Sequence, residues 1–235
     1  MNAKPPHNID KRLVRCLKCG NEFWLHVEHV CFMKDYSQFG ETTILYDLVN
    51  QVLDAGGDVP PVAVEIGAGD GYHLSNIRGL MEHGWDGWQY DFDPAGPALV
   101  VQEYVNAENV NGLTPFRAGW GVGVLSIDVD GNDYWIWKAL LSEPSLVCIE
   151  FNPTLAGCVT IPYDPKHVWN KADNYFGASF GALRALGRAK GYKLLAKTHC
   201  NLIFARHELW PDPEPWLEHE LVACFPASDK LFLSL

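Results

Sequence analysis

The sequence predicts an α/β protein built on a doubly wound, mostly parallel sheet, and three observations carry that expectation. Short apolar runs at 62–66, 122–130 and 146–150 have no polar alternation, as expected of strands buried on both faces. Segments of helical periodicity lie between them, the order that gives right-handed crossovers and a sheet covered on both sides. The first run leads directly into a glycine-rich turn, the position at which such sheets bind ligands.

The elements follow in order. Ile44, Leu45, Leu48, Val49, Val52 and Leu53 recur at helical spacing over 39–55, and Gly56-Gly57 ends that helix. Pro60-Pro61 introduces strand 62–66. A helix is expected over 72–83, closed by Gly84, and a strand over 88–93, closed by Asp93-Pro94. A short helix is expected over 95–103, while 104–121 carries no clear pattern. After strand 122–130 come a helix over 134–141 and strand 146–150. Residues 153–175 form a long connection of the kind that serves as a functional loop or lid. A helix over 182–189, with Gly191 past its end, and strands at 192–196 and 202–205 complete the pattern. The expected division is a Cys/His element over 1–35, the main domain over 36–209 and a C-terminal extension over 210–235.

Of the 235 residues, 48% are hydrophobic and 20% charged, the composition of a soluble globular protein. No apolar run approaches the roughly 18–20 residues of a membrane span, and the start of the chain does not read as a secretory signal. The net charge of −11 opposes binding to nucleic-acid phosphates. Lys4, Lys11, Arg12, Arg15 and Lys18 are the exception, as a solvated tail or a patch for an acidic partner. Seven scattered cysteines suggest reduced thiols and a cytoplasmic protein.

The turn reads Glu65-Ile66-Gly67-Ala68-Gly69-Asp70-Gly71. Gly67 permits a tight turn, Gly69 a close approach of backbone to ligand, and the N–H groups after them are left free. About 20 residues on, Asp91 ends the second strand, where a carboxylate accepts ribose hydroxyls. The spacing G-x-G-x-G lacks the further glycine of the dinucleotide fingerprint. A nucleoside without phosphates, S-adenosylmethionine, therefore fits better, with Gly67, Ala68, Gly69 and Gly71 against it and Glu65 near its ammonium group. The other reading is a glycine turn in an unrelated α/β protein.

Ser126-Ile127-Asp128-Val129-Asp130-Gly131-Asn132-Asp133 is the densest chemistry in the chain. In a strand Asp128 and Asp130 share a face. Buried carboxylates at a strand end are costly unless paired, protonated or metal-bound. Glu150 and Asn152 end the neighbouring strand, so Asp128, Asp130, Asp133, Glu150 and Asn152 are expected to converge as a catalytic group. A carboxylate there serves as a general base, or the set holds magnesium that orients an acceptor hydroxyl. Asn132 or Asp133 can instead cap the following helix. His73, after the glycine turn, is open to a capping or a catalytic role.

Cys16-Leu17-Lys18-Cys19-Gly20 looks like one knuckle of a zinc ribbon, with His26, His29 and Cys31 as further ligand candidates. A structural zinc, unpaired thiols and a disulfide all remain open.

Several strings resemble FkbM-type methyltransferases. These are Tyr36-Ser37-Gln38-Phe39-Gly40-Glu41, Val64 to Gly71, His73-Leu74-Ser75-Asn76, Leu125 to Tyr134, Ile149-Glu150-Phe151-Asn152-Pro153, Ile161-Pro162-Tyr163-Asp164-Pro165, Tyr175-Phe176-Gly177-Ala178-Ser179 and Lys190-Gly191-Tyr192. The resemblance covers roughly 36–207 and points to a poorly characterised branch. It implies a Rossmann-like class I methyltransferase fold, S-adenosylmethionine as cofactor, and O-methylation of a sugar, glycan or natural-product hydroxyl. In this family the second strand commonly ends in Glu, and here Asp91 stands there with a shorter arm. A small-molecule or glycan acceptor is the expected partner, with no membrane and with oligomerisation left open. A nucleic-acid methyltransferase guided by the zinc element, and a catalytically lapsed binding module, are the alternatives.

Overall fold

The computed structural model describes residues 13–15, 22–24, 34–96 and 100–210. Strands β1 (Leu13–Arg15) and β2 (Glu22–Trp24) form an antiparallel pair of their own. Cys16, Cys19, His26, His29 and Cys31 lie outside the described residues, as does the extension beyond Trp210.

The main sheet has seven strands: β3 (Val62–Ile66), β4 (Asp86–Asp91), β5 (Val101–Gln102), β6 (Val124–Ile127), β7 (Leu146–Glu150), β8 (Tyr192–Lys197) and β9 (Asn201–Arg206). Their spatial order is β5-β4-β3-β6-β7-β9-β8. Strands β5, β4, β3, β6 and β7 are parallel, and β9 runs antiparallel to both β7 and β8. The order reverses between β3 and β6, as in the expected doubly wound, mostly parallel architecture.

Side chains alternate between two apolar layers, as the period of a strand requires. Val64, Ile66, Leu125, Ile127, Val147 and Ile149 face one layer, which also holds helices α3 (Asp133–Ala139) and α4 (Phe180–Ala189). Ala63, Val124, Leu146 and Cys148 face the other, against α1 (Glu41–Asp54) and α2 (Arg78–Glu82). Trp137 of α3 is fully buried, with ring centroids 4.9 Å from Phe204 and 5.6 Å from Tyr192, so it joins α3 to the antiparallel edge.

Four expectations need correction. The helix expected over 72–83 shrinks to α2. Asp70 Oδ1 accepts the N–H groups of Tyr72 and His73, which diverts them from a helical ladder, and Leu74 adopts φ +63°. The segment 95–103 is no helix among its described residues: Gly96 lies at φ +142°, and Val101–Gln102 is strand β5 beside Tyr90 and Asp91. The strand expected over 122–130 is confined to β6, because Asp130 turns out of it at φ +54°. Cys158 is disulfide-bonded, so reduced thiols hold among the described cysteines for Cys148 and Cys200 only. The connection after β7 matches its expectation, with no strand or helix before α4 beyond a single bridge from Thr160 to Ala178. No described helix is long and apolar enough to cross a membrane.

Truncating Trp137 removes the largest shared contact of α3, α4 and the sheet edge. Trp137→Ala is expected to destabilise the protein by about 3–5 kcal/mol, measured by urea unfolding.

Candidate functional site

A cavity of about 740 Å³ opens at the carboxyl ends of β3, β4, β6 and β7, where the strand order reverses. Its size falls in the range of roughly 300–1,000 Å³ usual for small-molecule sites. The glycine turn forms one wall. Gly67 and Ala68 both donate to the Tyr90 carbonyl, at 2.8 and 3.0 Å, which bends the chain sharply off β3. Gly67 sits at φ +89°, and a Cβ there would lie 1.6 Å from the Asp128 carbonyl oxygen, so no side chain fits. Gly69, at φ +55°, has open space where its Cβ would be, leaving bare backbone in the wall.

Asp91 ends β4 and also lines the cavity. Its Oδ2 accepts the Gly69 N–H at 2.8 Å and its Oδ1 the Asp93 N–H at 2.8 Å. The carboxylate thus closes the turn and keeps lone pairs for a ligand's hydroxyls. Gly71 is not in the wall; its carbonyl accepts from Gln89 at 3.0 Å, inside the fold.

Glu65 lines the cavity, yet its carboxylate is already engaged. Oε1 accepts the Asn76 N–H at 2.7 Å, and Oε2 accepts from Ser75 Oγ at 2.6 Å and Gln89 Nε2 at 2.9 Å. Burial raises its pKa and these donors oppose the rise. Glu65 therefore fixes the 75–77 turn, whose Ser75 and Asn76 line the site, rather than standing free for an ammonium group. Ser75 and Asn76 entered the sequence reading only as part of the family-like string at 73–76, and Gln89 not at all, because nothing in their spacing marks a buried polar network. His73 also lines the cavity, in the turn before α2 rather than at a helix start.

The same cavity carries the acids. Ile127 and Ile149 are in register, so Asp128 and Glu150 leave adjacent strand ends side by side. The positive φ of Asp130 brings its carboxylate back to them. One carboxylate oxygen from each of Asp128, Asp130 and Glu150 lies within 4.8 Å of the other two. Burial, then the charge of Asp128, pushes Glu150 up to about 11. Burial and the charges of Asp133, Asp130 and Glu65 push Asp128 well above the carboxylate range. Burial also raises Asp130, against the opposing charge of Lys171.

Asp133 and Asn152, expected in this group, are engaged elsewhere and are not in the cavity wall. Asp133 is fully buried; Oδ1 accepts the Val129 N–H at 2.8 Å and Oδ2 the Gly131 N–H at 2.9 Å, so it clamps the loop that carries Asp130. Asn152 donates to the carbonyls of Asn174 and Phe176, both at 3.0 Å, and accepts from Thr154, so it ties together the two ends of the long connection.

That connection supplies His167, Val168, Trp169 and Lys171 to the cavity. Tyr104 Oη donates to the His167 carbonyl at 2.8 Å and Asn132 Nδ2 to the Asp164 carbonyl at 2.7 Å, fastening the segment down. The length of the connection marked it as functional, but no motif marked these four residues. Gln38, from the segment before α1, lines the cavity as well.

Removing the Asp133 carboxylate leaves two loop N–H groups unbonded, at roughly 1–3 kcal/mol for each that stays buried. Asp133→Ala is expected to destabilise the fold by at least about 1 kcal/mol in urea unfolding, after the relief of buried charge is set against that loss.

No family model and no curated protein matches the chain. Among solved structures it is similar to the magnesium protoporphyrin IX methyltransferase of Synechocystis PCC 6803 with bound SAM, at 13% identity and a TM-score of 0.41, over 71% of this chain and 80% of that one. It is similar also to an O-methyltransferase family protein of Burkholderia thailandensis, at 11% identity and a TM-score of 0.36, over 71% of this chain and 58% of the other.

Proposed function

We propose that the chain is an S-adenosylmethionine-dependent methyltransferase acting on a hydroxyl of a small molecule or glycan. The observation that carries this is the pairing of two features in one cavity: bare backbone at Gly69 beside the Asp91 carboxylate, and with them the half-buried acids Asp128, Asp130 and Glu150. The wall at Gly69 fits a nucleoside, because any side chain there would project into the ligand's space. When bound, the sulfonium cofactor supplies an electrophilic methyl group. Asp91 accepts the ribose hydroxyls with the lone pairs left by Gly69 and Asp93. Glu65 acts indirectly, by fixing the 75–77 turn against the cofactor.

The acids handle the acceptor hydroxyl. They either take its proton or hold a divalent cation such as magnesium that orients its oxygen. The long connection, with Trp169 packed against Phe176 at 4.3 Å, forms the acceptor side. The FkbM-type placement rests on the sequence strings. A nucleic-acid acceptor is disfavoured by the acidic cavity and the net charge of −11.

Isothermal calorimetry with adenosylhomocysteine tests the reading. One site per chain is expected, with binding weakened tenfold or more in Asp91→Ala, a loss of about 1.4 kcal/mol. No binding to the wild-type chain would overturn it.

For the Cys/His element we propose a structural zinc. Its support is the antiparallel pairing of β1 with β2, whose connection at 16–21 contains Cys16 and Cys19. Metal analysis is expected to find one zinc per chain, lost when Cys16→Ser and Cys19→Ser are combined.

A further inference from the structure

Of the two ways the acids can serve an acceptor, the wall of the cavity favours one. Asn132 is 3% exposed, and its Nδ2 donates to the Asp164 carbonyl at 2.7 Å. That bond requires the amide nitrogen on that side and so fixes which branch is oxygen. The oxygen, Oδ1, is buried without a hydrogen-bond partner, and Asn132 lines the same cavity as the three carboxylates. Glu150 Oε2 is buried without a partner as well. Buried polar atoms are nearly always bonded, so two such orphans in one wall point to a missing ligand.

We infer that Asp128, Asp130, Glu150 and the amide oxygen of Asn132 form a binding site for a hard divalent cation, magnesium or manganese. Oxygens bound to one ion at about 2.0–2.6 Å lie at most about 4–5 Å apart. The carboxylate oxygens, within 4.8 Å of one another, already meet that limit. An all-oxygen set suits a hard cation, whereas zinc prefers the thiolates and imidazoles of the N-terminal element. A double positive charge also offsets the like charges that these three half-buried acids bring together when ionised. The cation's part in catalysis rests on the methyltransfer reading; its binding does not.

The test is calorimetric titration of Mn²⁺ into the full chain, with and without adenosylhomocysteine. One Mn²⁺ per chain is expected, with affinity reduced tenfold or more in Glu150→Gln and at least threefold in Asn132→Ala. Without cation, Glu150→Gln is expected to melt at or above the wild-type temperature, because it removes one of three clustered acids, so its lost binding is not lost folding. No Mn²⁺ binding at millimolar concentration, or unchanged affinity in either variant, overturns the assignment. If adenosylhomocysteine binds and Mn²⁺ does not, the cation site alone falls. If Mn²⁺ binds and adenosylhomocysteine does not, the cation site stands and the methyltransferase reading falls.

Discussion

The site depends on one close approach, that of Gly67 to the carbonyl of Asp128. The two residues end neighbouring parallel strands, and between them there is no room for even a methyl group. Backbone against backbone at this point lets the glycine turn and the acidic loop open into one cavity instead of two. The turn is then held from the other side by Tyr90 and Asp91 of β4, so three adjacent strands define its shape. Strands β3 and β6 are buried on both faces and cannot shift without disturbing two apolar layers. The position of the ligand wall thus follows from the packing of the sheet.

The acids present the opposite situation, in which packing holds together groups that repel. Asp128 and Glu150 emerge from strands whose register is fixed by the sheet, and Asp130 is turned back toward them by a left-handed residue under the Asp133 clamp. Charges brought together in this way cost stability unless protonated, paired or neutralised by a ligand. Such an arrangement costs the fold something that function must justify, and strain of this kind gathers at functional sites. Asp133 differs from its neighbours: two backbone N–H groups satisfy it, and its role is mechanical.

Much of this was legible in the chain itself. Strand β3, the glycine turn, Asp91 at the end of β4, and the pair β6 and β7 all follow from apolar runs and turn residues, since two-sided burial leaves an unmistakable pattern. The region 72–77 was not legible, because its helical periodicity is local and Asp70 outcompetes the helix for N–H groups. Asp128 and Asp130 were expected to meet as alternate residues of one strand. They do meet, but through the reversal at Asp130, whose positive φ no spacing reveals. Asp133 and Asn152 have the right chemistry and nearly the right place, yet backbone groups nearby claim them first. The roles of Gln89 and Ser75 were not legible for the converse reason: they hold Glu65, and only tertiary structure shows it.

The tie made by Asn152 has an evolutionary corollary. By joining Thr154 to Asn174 and Phe176, it turns the long connection into a closed bight, pinned again along its length where Tyr104 and Asn132 donate to the carbonyls of His167 and Asp164. Side-chain substitutions at 166–171 leave those backbone ties in place, so they can reshape what enters the cavity while the strands beneath keep their geometry. A related chain that differs in these side chains alone would admit different molecules while keeping the glycine turn and Asp91 untouched.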